Sequence, residues 1–428
     1  MNRNITLLLS ALLTILLFAS SSCDKNEKLP DNGELPDPIE ISLRGEEVEM
    51  LEADQQFAFD FFTRVYDAEK IGQDRNFMIS PLSLSMALAM TRNGAAGETE
   101  AAMTETLKLT PFNDEEAINS YYSKLREALL ATDPSTKLSI ANSIWTNKHI
   151  TIKPAFISTN RDYFHSTVEA VDFGDPATVG RINQWASDNT QELIDHVLDE
   201  TDPMALMYLL NAIYFKGIWT SQFDKKQTQK APFAYENGNV KQVDMMQQKA
   251  EFNYTENETM QIVELPYGNQ AFSMVVLLPK AGKKLGDINN LLREGSALST
   301  LNSSLRSTTV DLRLPRFKTE YNIRLNDLLT DMGMGVAFSS GQADFSRMSD
   351  LEAFISFVDQ FTYISTDEEG TEAAAVTVVG VELTSVGPSR NVSFHANRPF
   401  IYLIREQSTG AILFMGAVKF MGAVKNFD

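Results

Sequence analysis

Apolar residues fall at helical spacing from Leu51 onward. ADQQFAFDFFTRVYDAE sets Phe57, Phe61 and Val65 on one face and predicts a first amphipathic helix. NFMISPLSLSMALAMTRNGAAGETEAAM then reads as a short apolar strand, a break at Ser80-Pro81, and a second helix ending near Asn93-Gly94 with Gly94 as its C-cap. Glu98 to Leu107 and Tyr121 to Ala131 continue as helices, and LSIANSIWTN, Leu138 to Asn147, alternates as a strand does. Ile182 to Val197 has helical spacing with Trp185 on its inner face. MALMYLLNAIYFKGIW, Met204 to Trp219, is apolar almost throughout, the pattern of a strand buried on both faces. IVELPYGNQAFSMVVLLPK reads as two strands around a Gly-Asn turn, and VDLRLPRFKTEYNI alternates before a helix, NDLLTDMGM, that stops at glycine. PFIYLIREQSTGAILFMGAVKF is a second hairpin, turning at Ser408-Thr409-Gly410. Helices dominate the first half and strands the second, without β–α–β alternation, which predicts an α+β fold with antiparallel or mixed sheets. No Pro/Gly-rich linker interrupts residues 51–420, so one domain over 48–428 is expected.

Composition narrows the partners. Of 428 residues, 57 are acidic and 37 basic, a net charge of −20 that argues against nucleic acid and anionic lipid surfaces. No basic run is long enough to dock a heparin-type polyanion. Residues 1–22, MNRNITLLLSALLTILLFASSS, have the order of a secretory signal: Arg3, an apolar run too short to span a bilayer comfortably, then small residues. Cys23, the single cysteine, follows directly and resembles a bacterial lipobox thiol; the alternative is a buried or incidental cysteine. With no second cysteine there is no intrachain disulfide. Residues 23–47 are rich in acids, Pro and Asn and read as a flexible tether. Together these features give the expectation of a lipid-anchored protein of the bacterial cell envelope, facing periplasm or exterior.

Catalytic constellations are thin. His149, His165, His196 and His395 are scattered without metal-ligand spacing, and there is no G-x-S-x-G elbow or phosphate loop. The adjacent pair Glu368-Glu369 reads, on composition, as solvated surface, and the 17 methionines as core filling rather than a soft binding face. No metal and no cofactor are expected. FMGAVK occurs twice in tandem, at 414–419 and 420–425, too short a repeat for a solenoid.

One segment fits none of the ordinary patterns. TDEEGTEAAAVTVVG, Thr366 to Gly380, is acidic, then small, then β-favouring. With NFMISPLSLSMALAMTRNGAAGETEAAM, ANSIWT, INQWASDNTQELI, LLNAIYFKGIWTSQF, DMMQQ, VELPYGN and FHANRPFIYLIREQSTGAILFMGAV, it resembles blocks of the serpin family in the family's order, over nearly all of Leu51 to Lys419. That resemblance implies an α+β fold of about nine helices and three β-sheets with an exposed reactive-centre loop at about 368–393. It makes Glu368, Glu369, Gly370, Thr371, Glu372, Ala373, Ala374 and Ala375 the hinge of that loop. After a protease cuts the loop, the strand would insert into the central sheet with Thr371, Ala373, Ala375, Thr377 and Val379 inward and Glu372, Ala374, Val376 and Val378 outward. Small inward residues let it enter without overpacking, and Gly370 gives the backbone freedom to fold over.

The family's spacing from Gly370 puts the scissile residue at Thr384, followed by Ser385, with Leu383 as an alternate. The bait VELTSVG has no basic residue before Arg390, which points away from trypsin-like targets toward elastase-like or subtilisin-like serine endopeptidases, with papain-like cysteine ones as further candidates. Ser80, Ser83 and Asn211 match polar residues beneath the sheet that opens, and Trp219 the point where insertion starts. Gln360 departs from the family, which often has His there; an amide both donates and accepts, so hydrogen bonding at the gate is rebuilt. The resemblance implies a monomeric suicide-substrate inhibitor that supplies no catalytic group, with a binding or carrier protein of the same fold as the alternative.

Overall fold

The fully buried stripe Phe57, Phe61, Phe62 and Val65 organises the first helix, α1 (Glu46–Gly72). Phe57 stacks on Phe61 one turn on, with ring centroids 5.8 Å apart. The computed structural model describes residues 35–72, 75–205, 207–295, 304–371 and 392–420. α2 (Pro81–Arg92) is buried on every side. Pro81 opens it, because a first-turn residue needs no N–H and proline presets its φ. α3 (Gly97–Thr106), α4 (Glu115–Ala131), α5 (Pro154–Phe164), α6 (Ala177–Asn189), α7 (Leu285–Arg293) and α8 (Asn326–Leu329) complete eight α-helices among the described residues, against about nine expected.

Six strands form the central sheet. In order across it they are β10 (Phe317–Arg324), β11 (Val358–Thr366), β12 (Gly370–Thr371), β4 (Met207–Ile218), β2 (Lys137–Asn147) and β3 (Thr167–Val171). The apolar run expected of a strand covered on both faces is β4. Met207, Leu209, Ile213 and Phe215 point into the main core, while Tyr208 and Leu210 join a second cluster with Trp145, Phe173 and Ile182 beneath α6.

The remaining strands make a nine-stranded sheet: β1 (Phe77–Ile79), β15 (Ile412–Val418), β14 (Phe400–Glu406), β8 (Phe272–Pro279), β7 (Met260–Tyr267), β6 (Val240–Glu256), β9 (Arg306–Pro315) and β13 (Val392–His395), with β5 (Gln229–Ala234) paired to β6. Two of the three expected sheets are thus joined in one ladder. The joint is β6, whose 17 residues pair with β5 at one end and with β7 at the other.

Three local expectations are corrected. Gly94 does not cap α2 in a left-handed turn; the C-cap is Asn93, in right-handed geometry. Glycine is needed there for closeness, since a Cβ would lie 2.8 Å from both Met348 and Phe156. The helix expected to reach Val197 ends at Asn189, because Gln191 and Glu192 take positive φ and Thr190 turns its hydroxyl back onto the Ala186 carbonyl. Trp185 on it is half-buried against the second cluster. The alternating run 310–323 is two strands, β9 and β10, in different sheets, changing over at Pro315-Arg316.

Candidate functional site: a split sheet and the base of its loop

β11 and β4 run parallel, a pairing that cannot come from a hairpin. Their mutual ladder covers Val358–Gln360 against Leu209–Asn211 and ends there. At the other end of the two strands β12 lies between them, antiparallel to both. Thr371 is opposite Thr366 on one side, and Gly370 and Thr371 are opposite Ile218 and Gly217 on the other. At Gly370 there is no room for a side chain: any Cβ would clash with the Gly217 carbonyl oxygen.

The structure brings together the residues assigned to the gate. The Gln360 amide bridges the backbone of Ser80, accepting from its N–H at 2.9 Å and donating to its carbonyl at 2.9 Å. Ser80 is the N-cap of α2, yet its hydroxyl makes no cap and donates instead to the Leu413 carbonyl of β15, 2.7 Å away. Ser83 Oγ donates to Asn211 Oδ1 at 2.6 Å, and Asn211 Nδ2 donates to the Ser83 carbonyl at 3.0 Å and to Asn142 Oδ1 at 2.7 Å. Thr362 adds a bond to the Met78 carbonyl at 2.7 Å. All six side chains are buried, and none of them ionises in the ordinary range. They tie α2 to β11, β4 and β2 beneath the point where the parallel pairing stops. Replacing Gln360 by Ala leaves the Ser80 N–H buried without a partner, while its carbonyl keeps the Leu84 N–H. The expected cost is about 1–3 kcal/mol in denaturant unfolding of the uncut protein; an unchanged midpoint would mean that the amide does not hold the gate.

Trp219 sits where β12 begins. Its backbone N–H donates to the Glu369 carbonyl and its indole N–H to the Asp367 carbonyl, both at 2.8 Å, and its ring stacks on Tyr267 at 4.4 Å. The Tyr267 hydroxyl is 2.6 Å from Thr371 Oγ1, so the first inward residue of the hinge is already seated. Burial pushes the Tyr267 phenol above its ordinary range.

The reading of Glu368-Glu369 as solvated surface does not hold. Glu368 is only 1% exposed and is gripped by the Arg316 guanidinium through Nε at 2.9 Å and Nη2 at 2.7 Å, with the Thr228 hydroxyl as a further donor. Burial alone would raise this carboxyl, but Arg316 and Thr228 outweigh it and hold it below the usual carboxylate range. Glu369 pairs with Lys225 at the surface. Composition could not reveal this latch, since Arg316 lies 52 positions from Glu368. A signal was present in RLPRFK, where Arg316 follows Pro315 at the crossing between two sheets.

Glu372, Ala373, Ala374, Ala375, Leu383, Thr384, Ser385, Cys23 and the leader lie outside the described residues. The histidines stay apart: His165 and His196 are exposed beside Glu127 and Asp199, and His395 faces Asp311. Among the described residues no group of His, Cys, Asp and Glu is placed to hold a metal ion, and no helix is long and apolar enough to cross a membrane.

Fold and gate together define a class of protein: an α+β body whose central sheet holds the first residues of a long chain segment between two parallel strands. This chain belongs to the serpin family. The model of that family, serpin (serine protease inhibitor), matches residues 52–419. Human leukocyte elastase inhibitor is 34% identical over 376 residues, covering 85% of this chain and 97% of that protein. An uncharacterized serpin-like protein of Thermococcus kodakarensis is 33% identical over 381 residues, covering 88% and 87%. Among solved structures, the thermophilic serpin tengpin in its native state superposes with a TM-score of 0.78 at 32% identity, covering 91% of this chain and 98% of that one. Thyroxine-binding globulin in complex with thyroxine gives a TM-score of 0.77 at 27% identity, covering 87% and 99%. Members of this family are generally protease inhibitors rather than enzymes.

Proposed function

We propose that this protein is a suicide-substrate inhibitor of endopeptidases. The observation that carries the reading is the arrangement of β12: two residues of the hinge, Gly370 and Thr371, already lie between β11 and β4 above a gate that is still hydrogen-bonded. In the proposed reaction the protease nucleophile bonds to the carbonyl carbon of Thr384. The Thr384–Ser385 amide breaks, and the Ser385 amine leaves with a proton from the protease's general acid. The hinge then zips onward between β11 and β4 and carries the acyl-enzyme with it before water can attack. The stored strain of the uncut fold drives that step.

The small and apolar bait suits elastase-like and subtilisin-like enzymes, with papain-like ones as further candidates, and the similarity to leukocyte elastase inhibitor supports that class. Lipidation at Cys23 would hold the body at a bacterial envelope membrane, where monomers meet exported or host proteases. A second reading, a binding or carrier protein without trapping, is favoured by the likeness to thyroxine-binding globulin, which holds a small ligand on the same fold.

Incubation of the purified protein with elastase, subtilisin, trypsin and papain separates the two. A covalent adduct on denaturing gels, with the cut mapped by mass spectrometry to Thr384 or its neighbour, is the expected result. Clean cleavage at that bond with no adduct for any enzyme would leave the carrier reading in its place.

A further inference from the structure

Asp54 is an acid buried in the core. It sits on α1, fully enclosed, where that helix meets α2 and α4. Its carboxyl oxygens face two phenols of α4: Tyr121 donates at 2.6 Å and Tyr122 at 3.0 Å. The Ser85 hydroxyl of α2 also favours the anion from close by. Both phenols are themselves buried, and Tyr122 packs its ring on Phe164 of α5 at 6.0 Å. No cation contacts the carboxyl among the described residues. The charged groups bearing on the cluster are Arg92 at the end of α2, paired with Glu100, and Glu47 on α1 itself, paired with Lys124 of α4.

We propose that Asp54 is a pH-responsive lock on the junction of α1, α2 and α4. Protonated, the carboxyl places no charge inside that junction. Ionised, it leaves an uncompensated charge inside the core and loosens the same three helices. The inference goes beyond the inhibitor reading and does not rest on it. Its reach is nevertheless wider than one contact, because α2 begins at the gate residue Ser80 and carries Ser83.

The direction follows from burial, which pushes the Asp54 carboxyl from 3.8 up to about 6 despite three hydroxyls that favour the anion. The folded state therefore holds this proton more tightly than the unfolded chain. The stabilising contribution is complete in acid and fades as pH rises through the folded value. Between about pH 4 and 6 the unfolding constant should rise about tenfold per pH unit from this group, then level off. Glu368 acts with the opposite sign at lower pH, its stabilisation being lost in acid, so the test needs a comparison that cancels it.

That comparison is the full chain against Asp54→Asn, a neutral isostere, in denaturant unfolding from pH 4.5 to 8. The ratio of the two unfolding constants should climb about twentyfold between pH 4.5 and 6.5 and then stay nearly flat. Carboxyl-carbon NMR on the same proteins should place the Asp54 titration near pH 6. Removing one donor in Tyr121→Phe should move it higher, and this variant decides the matter if Asp54→Asn fails to fold. Parallel stability curves across the range, or a carboxyl that titrates in the ordinary aspartate range, would overturn the proposal.

Discussion

A single cut between Leu383 and Ser385 is expected to raise the unfolding temperature of the protein by about 10 °C or more. The expectation rests on the unfinished state of the central sheet. β11 and β4 pair with each other over three residues and then give way to β12. Once the loop is cut, the residues after Thr371 can continue β12 in the register it already has. Each inserted residue gains about two ladder hydrogen bonds, worth roughly 1 kcal/mol apiece net. Ordering it costs about 1–2 kcal/mol, and burying Ala373, Ala375, Thr377 and Val379 adds a few kcal/mol more. Over about a dozen residues the surplus is on the order of 10 kcal/mol, which for a chain of this size corresponds to the stated shift. The few bonds lost at Val358–Gln360 and the polar contacts of the gate are small beside it. Scanning calorimetry of the cut and uncut chains decides the point. A cut chain that melts with the uncut one would mean that the loop does not enter the sheet, and with it the trap would fall.

Much of this site was legible in the sequence, and the parts that were not share a cause. The strand β4 announced itself because burial on both faces removes polar residues from most of a run of twelve, leaving Asn211 and Lys216 as the visible exceptions. The role of Gln360 could be reasoned from its chemistry, since only a group that donates and accepts can satisfy both backbone atoms of Ser80. What escaped were partnerships between distant segments. Glu368 in an acidic run looks like surface until Arg316 is brought across from the turn between β9 and β10. Tyr267, which holds Trp219 and Thr371 at once, looks like an ordinary hairpin residue in VELPYGN. Asp54 likewise reads as one more acid on an amphipathic helix, and only packing encloses it with two phenols. Periodicity reports which face of an element is buried; it does not report what meets that face.

Substitution of Thr371 by Arg is expected to convert the inhibitor into a substrate. Thr371 is the last described hinge residue and the first whose side chain points inward; it is 2% exposed, with its hydroxyl shared between Tyr267 and Thr366. Among the described residues the neighbouring hinge acids are not free to meet a guanidinium there, because the carboxylate of Glu368 is already committed to Arg316 and Glu369 is drawn out to Lys225. Seating the hinge would then bury an unpaired charge, at a cost of several kcal/mol, before any later residue could follow. Slowing insertion by about 3 kcal/mol is about a hundredfold in rate, enough for water to release the protease first. The adduct should vanish while cleavage at Thr384 continues, because the bait itself is untouched. Thr371→Val is the control: it keeps the shape and loses one hydroxyl partner of Tyr267, for a cost of about 1 kcal/mol and a retained adduct. Persistence of the covalent complex in Thr371→Arg would show that trapping proceeds without the strand path laid down by β12, and the mechanism would have to be sought elsewhere on the molecule.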